Sequence, residues 1–201
     1  MFQSQIRRVS LRALAGASAA LLALAAPAAA QHAPRMALLA TFPSLNRDAR
    51  SVTETLRARD LLVPVEGISA SQLRDTYNAS RSGGRVHDAI DIHAPRGTPV
   101  LATADGMIIK LHYGARGGKS LYQIDDDVRT RYYYAHLDRY AAGVNEGVRV
   151  TKGQVIGYVG DTGNAQPGDY HLHFASASLS NTSRWWGGTN VNPYDVYSGG
   201  R

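Results

Sequence analysis

From Leu61 onward the apolar positions fall in short runs broken by glycine and polar turns, the pattern of strands rather than helices. A first strand is expected at Leu61–Val65, on a sheet edge, because Pro64 has no N–H to give a ladder. Ser69–Tyr77 has room for one or two helical turns. Strands are then expected at Ala89–His93, Pro99–Ala104 and Met107–Tyr113, the last two joined by a turn at Ala104-Asp105-Gly106. Ser120–Asp125 and Arg129–His136 form a hairpin around Asp125-Asp126-Asp127, and Val148–Val150, Val155–Val159 and His171–Ser178 complete the set. Many strands at even spacing predict an all-β fold, a small antiparallel sandwich or barrel. Residues 31–61 read as a short, partly helical N-terminal extension. There Ser51-Val52-Thr53-Glu54 fits a capping box, and Val52 and Leu56 share a helix face for packing.

The first 30 residues change the picture. Arg7, Arg8 and Arg12 precede an apolar run from Ala13 to Ala26, and Ala28-Ala29-Ala30 offers a small-residue cleavage site before Gln31. The run is short for a membrane span, so a cleaved signal peptide and export are expected, with no stable membrane insertion afterwards; an uncleaved anchor is the alternative. The chain has no cysteine, which excludes disulfides and a lipid-modified cysteine. Its formal charge is +6, from 22 Lys+Arg and 16 Asp+Glu, and loss of the three leader arginines leaves +3. So mild a charge, without Lys/Arg clusters interleaved with aromatics, argues against nucleic acid and suits an anionic polymer such as cell wall.

Candidate chemistry lies in two histidine patterns, His87-Asp88-Ala89-Ile90-Asp91 and His171-Leu172-His173. On a strand, residues two or four apart face the same way, so His87 can join Asp91 and His171 can join His173. Such imidazole and carboxylate ligands with one open position suit catalytic zinc. Tyr134-Ala135-His136-Leu137 adds a further histidine from another strand. These patterns point to a zinc hydrolase.

The run His87-Asp88-Ala89-Ile90-Asp91-Ile92, followed by Ala94-Pro95-Arg96-Gly97-Thr98-Pro99-Val100, resembles the M23 (LytM/lysostaphin-like) zinc metallopeptidases. So do Tyr134–Leu137, Lys152-Gly153-Gln154-Val155-Ile156-Gly157, Gly160-Asp161-Thr162-Gly163-Asn164, His171–Phe174 and the closing Asn192-Pro193-Tyr194. The resemblance covers roughly 62–197, and a peptidase domain is set at residues 62–198. It implies a LytM-like β fold with a duplicated hybrid motif, and zinc held by His87, Asp91 and His173. It also implies that His136 and His171 flank the attacking water, with His171 as base and His136 as oxyanion partner, roles that the sequence leaves interchangeable. Ala89 replaces a glycine common in relatives and leaves every ligand intact.

The implied activity is endopeptidase cleavage of peptide cross-links in bacterial peptidoglycan. The Ala/Arg-rich leader has a proteobacterial style, which implies a periplasmic enzyme acting on D-Ala–diaminopimelate links. Two rival functions stand beside it. Some relatives lack zinc ligands and activate cell-wall amidases, which would make an amidase or division protein the partner, yet this chain keeps all five site residues. Val150–Gly157 also resembles the motif of biotinyl and lipoyl carrier domains, with Lys152 as the modified residue.

Other residues carry paired readings. His93, two beyond Asp91, is either a rival ligand or idle; His32 and His112 have no partner pattern. Tyr132 and Tyr134 share the strand face of His136 and either line the groove or fill the core. Trp185-Trp186 is a binding platform or a hydrophobic plug, Arg85 can meet a substrate carboxylate, and Asp125–Asp127 is a polar turn. The glycine-rich stretches Tyr113–Ser120 and Asn164–Tyr170 are expected to wall the groove.

Overall fold

Alternation along the strands sorts the chain into a core face and an outer face, and the sheet follows from pairing those faces. The computed structural model describes residues 49–127, 129–180 and 187–199, all within one compact unit spanning 46–201. The leader, His32, the extension up to residue 48 and Trp185-Trp186 lie outside the described residues. Among the described residues eleven strands run in chain order: β1 (Ser80–Arg81), β2 (Arg85–Val86), β3 (Ile90–His93), β4 (Pro99–Leu101), β5 (Gly106–Gly114), β6 (Gly118–Asp125), β7 (Thr130–Tyr140), β8 (Arg149–Val150), β9 (Val155–Val159), β10 (His171–Ser178) and β11 (Thr189–Val191). Helix α1 (Ala49–Arg57) precedes them and α2 (Pro193–Tyr197) follows.

All pairings are antiparallel. The main sheet runs β11-β10-β7-β6-β5-β8, with β3 on β10, and β9 on both β7 and β4. The fold is therefore the predominantly β, antiparallel architecture that the strand pattern predicts. Ile90, Ile92, Leu121, Tyr134, Leu172 and Phe174 project inward and are almost wholly buried. Burial of each such side chain is worth about 1.5–3 kcal/mol, which pins the register. Within this core Tyr134 Oη donates to Gln123 Oε1 at 2.6 Å and accepts from Thr103 N at 3.1 Å.

Several elements differ from the sequence reading, each for a physical reason. Leu61–Val65 is not a strand. Pro64 interrupts it, and it lies beside β4 through scattered bonds, Leu62 N to Thr103 O at 3.0 Å and Leu101 N to Pro64 O at 3.0 Å, with Val65 a lone bridge to Val100. Ser69–Tyr77 holds a single 3₁₀ turn at Ala70–Gln72, whose Gln72 side chain accepts from Ser69 N. The β1–β2 hairpin, β11 and α2 were too short for periodicity to reveal.

Asn192-Pro193-Tyr194 starts α2: the Asn192 side chain caps it by accepting from Tyr194 N at 3.0 Å, and Pro193 tolerates the first turn. Helix α1 buries Val52 and Leu56 against Val191 and Val196, so the end of the extension is packed on the β domain. The Asp125–Asp127 turn is tied down by Arg59, which pairs with both Asp125 and Asp127, while Asp125 Oδ1 accepts from Arg129 N and Thr130 N at 2.9 Å. No described helix is long and apolar enough to cross a membrane.

Candidate metal centre

The β3–β10 ladder sets His173 opposite Asp91 and His171 opposite His93. Because Ile90, Ile92, Leu172 and Phe174 take the inner face, the outer face where these two strands pair carries Asp91, His93, His171 and His173. His87 arrives differently from the period-two expectation, since it lies between β2 and β3 rather than on a strand with Asp91. Its N–H bonds Ala79 O at 3.0 Å, and Asp88, at φ 56°, turns the chain into β3. A kink thus does what strand alternation was expected to do.

The result is a compact donor set. His87 Nε2 lies 3.0 Å from Asp91 Oδ1 and 2.9 Å from His173 Nδ1, and His173 Nδ1 is 3.2 Å from Asp91 Oδ1. His87 Nδ1 donates to Thr76 O at 2.9 Å, and a carbonyl only accepts, so its proton sits on Nδ1 and Nε2 offers a lone pair. Three such atoms this close repel one another unless a proton or cation lies among them. Tetrahedral zinc at about 2.0–2.1 Å from each ligand would space them about 3.3 Å apart, close to the distances here. The donor set therefore fits zinc in both chemistry and spacing. Thr76 Oγ1 also accepts from Asp91 N at 3.1 Å, and Arg81 Nη2 donates to Asp91 Oδ2 at 2.7 Å, fixing the carboxylate from behind. Burial alone would raise the Asp91 carboxyl, but hydrogen bonds and charge from His173 and His87 outweigh it and hold it well below the usual carboxylate range. Burial lowers His173, against the pull of Asp91, which keeps its imidazole neutral as a ligand requires.

His136 and His171 stand beside this set, their rings 4.9 Å apart, with His136 5.7 Å from the His173 ring. Both are buried, and both use Nδ1–H on a backbone carbonyl: His136 to Thr162 O at 2.7 Å, His171 to Asp169 O at 2.8 Å. Each therefore has an unprotonated Nε2, and that of His171 lies 3.8 Å from Asp91 Oδ1. Burial, with the charges of His171 and His173, pushes His136 down to about 4 despite its bond to Thr162. Thr162 is held in turn by its own hydroxyl, which donates to Leu137 O at 2.7 Å and accepts from Lys119 N at 2.9 Å.

An open groove of about 680 Å³ runs over the site. Gly114–Gly117 and Asn164–Gln166 with Asp169 line it, within the two stretches that the sequence marks as walls, and Asn164 N ties them together through Arg116 O at 2.9 Å. Its aromatic lining is Tyr133 and Tyr122, rings 4.5 Å apart, and not Tyr132 or Tyr134, which are wholly buried. His136 has φ 59°, and this left-handed residue breaks the alternation of β7, so counting back from His136 selects the wrong face. Counting from Ala135, which pairs with His173, would have found Tyr133. Thr76 and Arg81 carried no signal in the sequence, and Thr162 stood out only as part of the Gly160–Asn164 motif. Arg85 lies on the groove rim, as does exposed His112. His93 does not join the His87–Asp91–His173 set; it is 62% exposed and stands 3.4 Å from Asp169 Oδ1.

Fold and site together define an antiparallel β protein with a candidate three-ligand metal site, flanked by two imidazoles, in an open groove. The model of peptidase family M23 matches residues 85–193, more than half of the chain, and the chain belongs to that family. It is similar to the L-Ala--D-Glu endopeptidase of Bacillus subtilis (strain 168), 34% identical over 128 residues, 60% of this chain and 38% of the relative. It is also similar to the peptidoglycan DD-endopeptidase ShyC of Vibrio cholerae serotype O1, 36% identical over 90 residues, 45% of this chain and 20% of the relative. The chain thus spans well under half the length of these curated relatives. Among solved structures, the catalytic domain of the antimicrobial peptidase lysostaphin from Staphylococcus simulans superposes with a TM-score of 0.50 at 26% identity, over 73% of this chain and 97% of that domain.

Proposed function

We propose that this chain is a zinc-dependent endopeptidase that hydrolyses peptide cross-links of bacterial peptidoglycan, acting after export, most readily in the periplasm. The observation that carries the reading is the convergence of His87 Nε2, Asp91 Oδ1 and His173 Nδ1 within 3.2 Å beside two imidazoles with free Nε2 atoms. The family supplies the reaction class, and its relatives named for peptidoglycan supply the substrate class.

Zinc bound by these three residues would act as a Lewis acid and lower the pKa of a water to about 7. The remaining work belongs to side chains. We assign proton transfer to His171: its Nε2 accepts a proton from the attacking water, and the resulting imidazolium returns it to the leaving amine. Its Nδ1–H, fixed on Asp169 O, keeps the ring in the accepting tautomer. His136 Nε2 first accepts a hydrogen bond from the water. Only its Nε2-protonated form can donate to the oxyanion, and a pKa of about 4 makes that form scarce in the empty groove. Arg85 and Arg116 on the rim suit a peptide that bears a free carboxylate, as wall stem peptides do.

The test is digestion of purified cross-linked peptidoglycan, read by mass spectrometry with metal analysis of the protein. His87→Ala, Asp91→Ala and His173→Ala should lose zinc; His136→Ala and His171→Ala should keep zinc and lose turnover by at least about 100-fold. A ligand variant with full zinc and full activity would refute the ligand set. Stoichiometric zinc without cleavage of any wall would refute the peptidase reading in favour of a binding role.

A further inference from the structure

We propose that His93, Asp169 and His171 form a second, weaker site for a zinc-like divalent cation at the groove edge, and that its occupation disables His171. The β3–β10 ladder places His171 directly opposite His93, one same-face rung beyond the His173–Asp91 pair. Opposed antiparallel side chains lie about 4.5–5.5 Å apart at Cβ, close enough to share an ion. Here the two rings are 5.3 Å apart. Asp169, from the loop before β10, completes the set: its Oδ1 is 3.4 Å from His93 Nδ1 and its Oδ2 is 3.7 Å from His171 Nδ1. The three ligand atoms all fall within 4.8 Å of one another.

Two imidazoles and one carboxylate select zinc, cobalt or nickel over calcium or magnesium, which prefer oxygen. The site opens to solvent, with His93 62% and Asp169 47% exposed, so an ion can enter without unfolding anything. The same exposure, and spacings wider than in the first set, make it the weaker of the two. A plain surface pair between His93 and Asp169 would account for their proximity and would contribute little stability. The Nδ1 of His171 faces the same carboxylate, 3.7 Å from Oδ2, so a third donor joins the pair.

His171 now donates Nδ1–H to Asp169 O. A cation that takes Nδ1 displaces this proton to solvent, and the neutral ring takes another on Nε2, the atom turned toward the reaction. Nε2 then donates and cannot accept the proton of the attacking water. If the cation takes Nε2 instead, the same lone pair is consumed. Binding at this site stands on geometry alone; loss of turnover rests on the proposed role of His171.

The test loads the purified full chain with one equivalent of zinc, then titrates further zinc by calorimetry with metal analysis, and follows turnover in parallel. The expected result is a second, weaker equivalent whose filling halts cleavage. His93→Ala and the milder His93→Gln should keep the first equivalent and ordinary turnover, bind the second about tenfold or more weakly, and need that much more zinc for inhibition. Saturation at one equivalent, or a second equivalent unchanged in both variants, would overturn the site. A second equivalent lost with His93 but without effect on turnover would overturn the link to His171. Failure to hold the first equivalent would count instead against the metal centre of the proposed peptidase.

Discussion

Acidification should destabilise the metal-free protein partly through His136, and the size of the effect follows from its surroundings. Burial and two neighbouring imidazoles push His136 down to about 4, against an ordinary value of about 6.5. The unfolded chain therefore takes up this proton first. Stability due to the neutral ring is present above pH about 6.5 and is lost as pH falls toward about 4. A shift of about 2.5 units corresponds to about 3 kcal/mol at most, and water in the open groove screens it to about 1–2 kcal/mol. The substitution to use is His136→Asn, because the residue sits at φ 59° and Asn tolerates that left-handed backbone. Urea unfolding of the chelator-treated protein near pH 7 and near pH 4.5 should show the variant losing about 1–2 kcal/mol less than the wild type, with an unchanged m value. His173 is lowered in the same direction but is present in both proteins, so the difference isolates His136. Equal losses in the two proteins would refute the reasoning.

Two further predictions concern the scaffold. Tyr134→Phe strands Gln123 Oε1 and Thr103 N in the core and should cost about 1–3 kcal/mol, whereas Tyr132 Oη has no hydrogen-bond partner among the described residues and Tyr132→Phe should be neutral or slightly stabilising. Thermal unfolding compares the pair, and equal shifts would contradict the hydrogen-bond assignment. Gly118 has φ 57° and a Cβ there would lie 2.3 Å from Thr162, so Gly118→Ala should cost about 2–3 kcal/mol and lower turnover by moving the carbonyl that holds His136. Metal analysis should show zinc retained, and wild-type turnover would count against that coupling.

What the sequence made legible is what periodicity and spacing encode. The strand that ends at His93 and the strand that begins at His171 read directly, and so did the shared outward face of Asp91 with His93 and of His171 with His173. His87 reaches the donor set by a geometry other than strand alternation. The hairpin that delivers it has strands of two residues each, below the length at which alternation can be seen, and its turn rests on Gly83 and Gly84 at positive φ. The groove tyrosine was missed because a histidine, not a glycine, takes the left-handed conformation at 136. Thr76, Asp169 and Thr162 support imidazoles through backbone carbonyls, which every residue has, so side-chain identity cannot announce them. Lys152, proposed in one reading as a carrier lysine, bonds Asp60 through Nζ, an ordinary surface contact.

The core and the metal centre are specified by one register. Sliding β3 by a single residue against β10 would turn Ile90 and Ile92 to the groove and pair Asp91 with the wrong neighbour at the same stroke. Displacing those two side chains would cost about 3–6 kcal/mol, at about 1.5–3 kcal/mol each, a large part of the stability of an ordinary domain. Hydrophobic burial on one face thereby holds ligand atoms within 3.2 Å on the other, before any ion contributes. The same ladder leaves no freedom over what lies on the next rung. Once Asp91 meets His173, a histidine at 93 must meet His171, and the proposed cation site takes only Asp169 from outside the ladder.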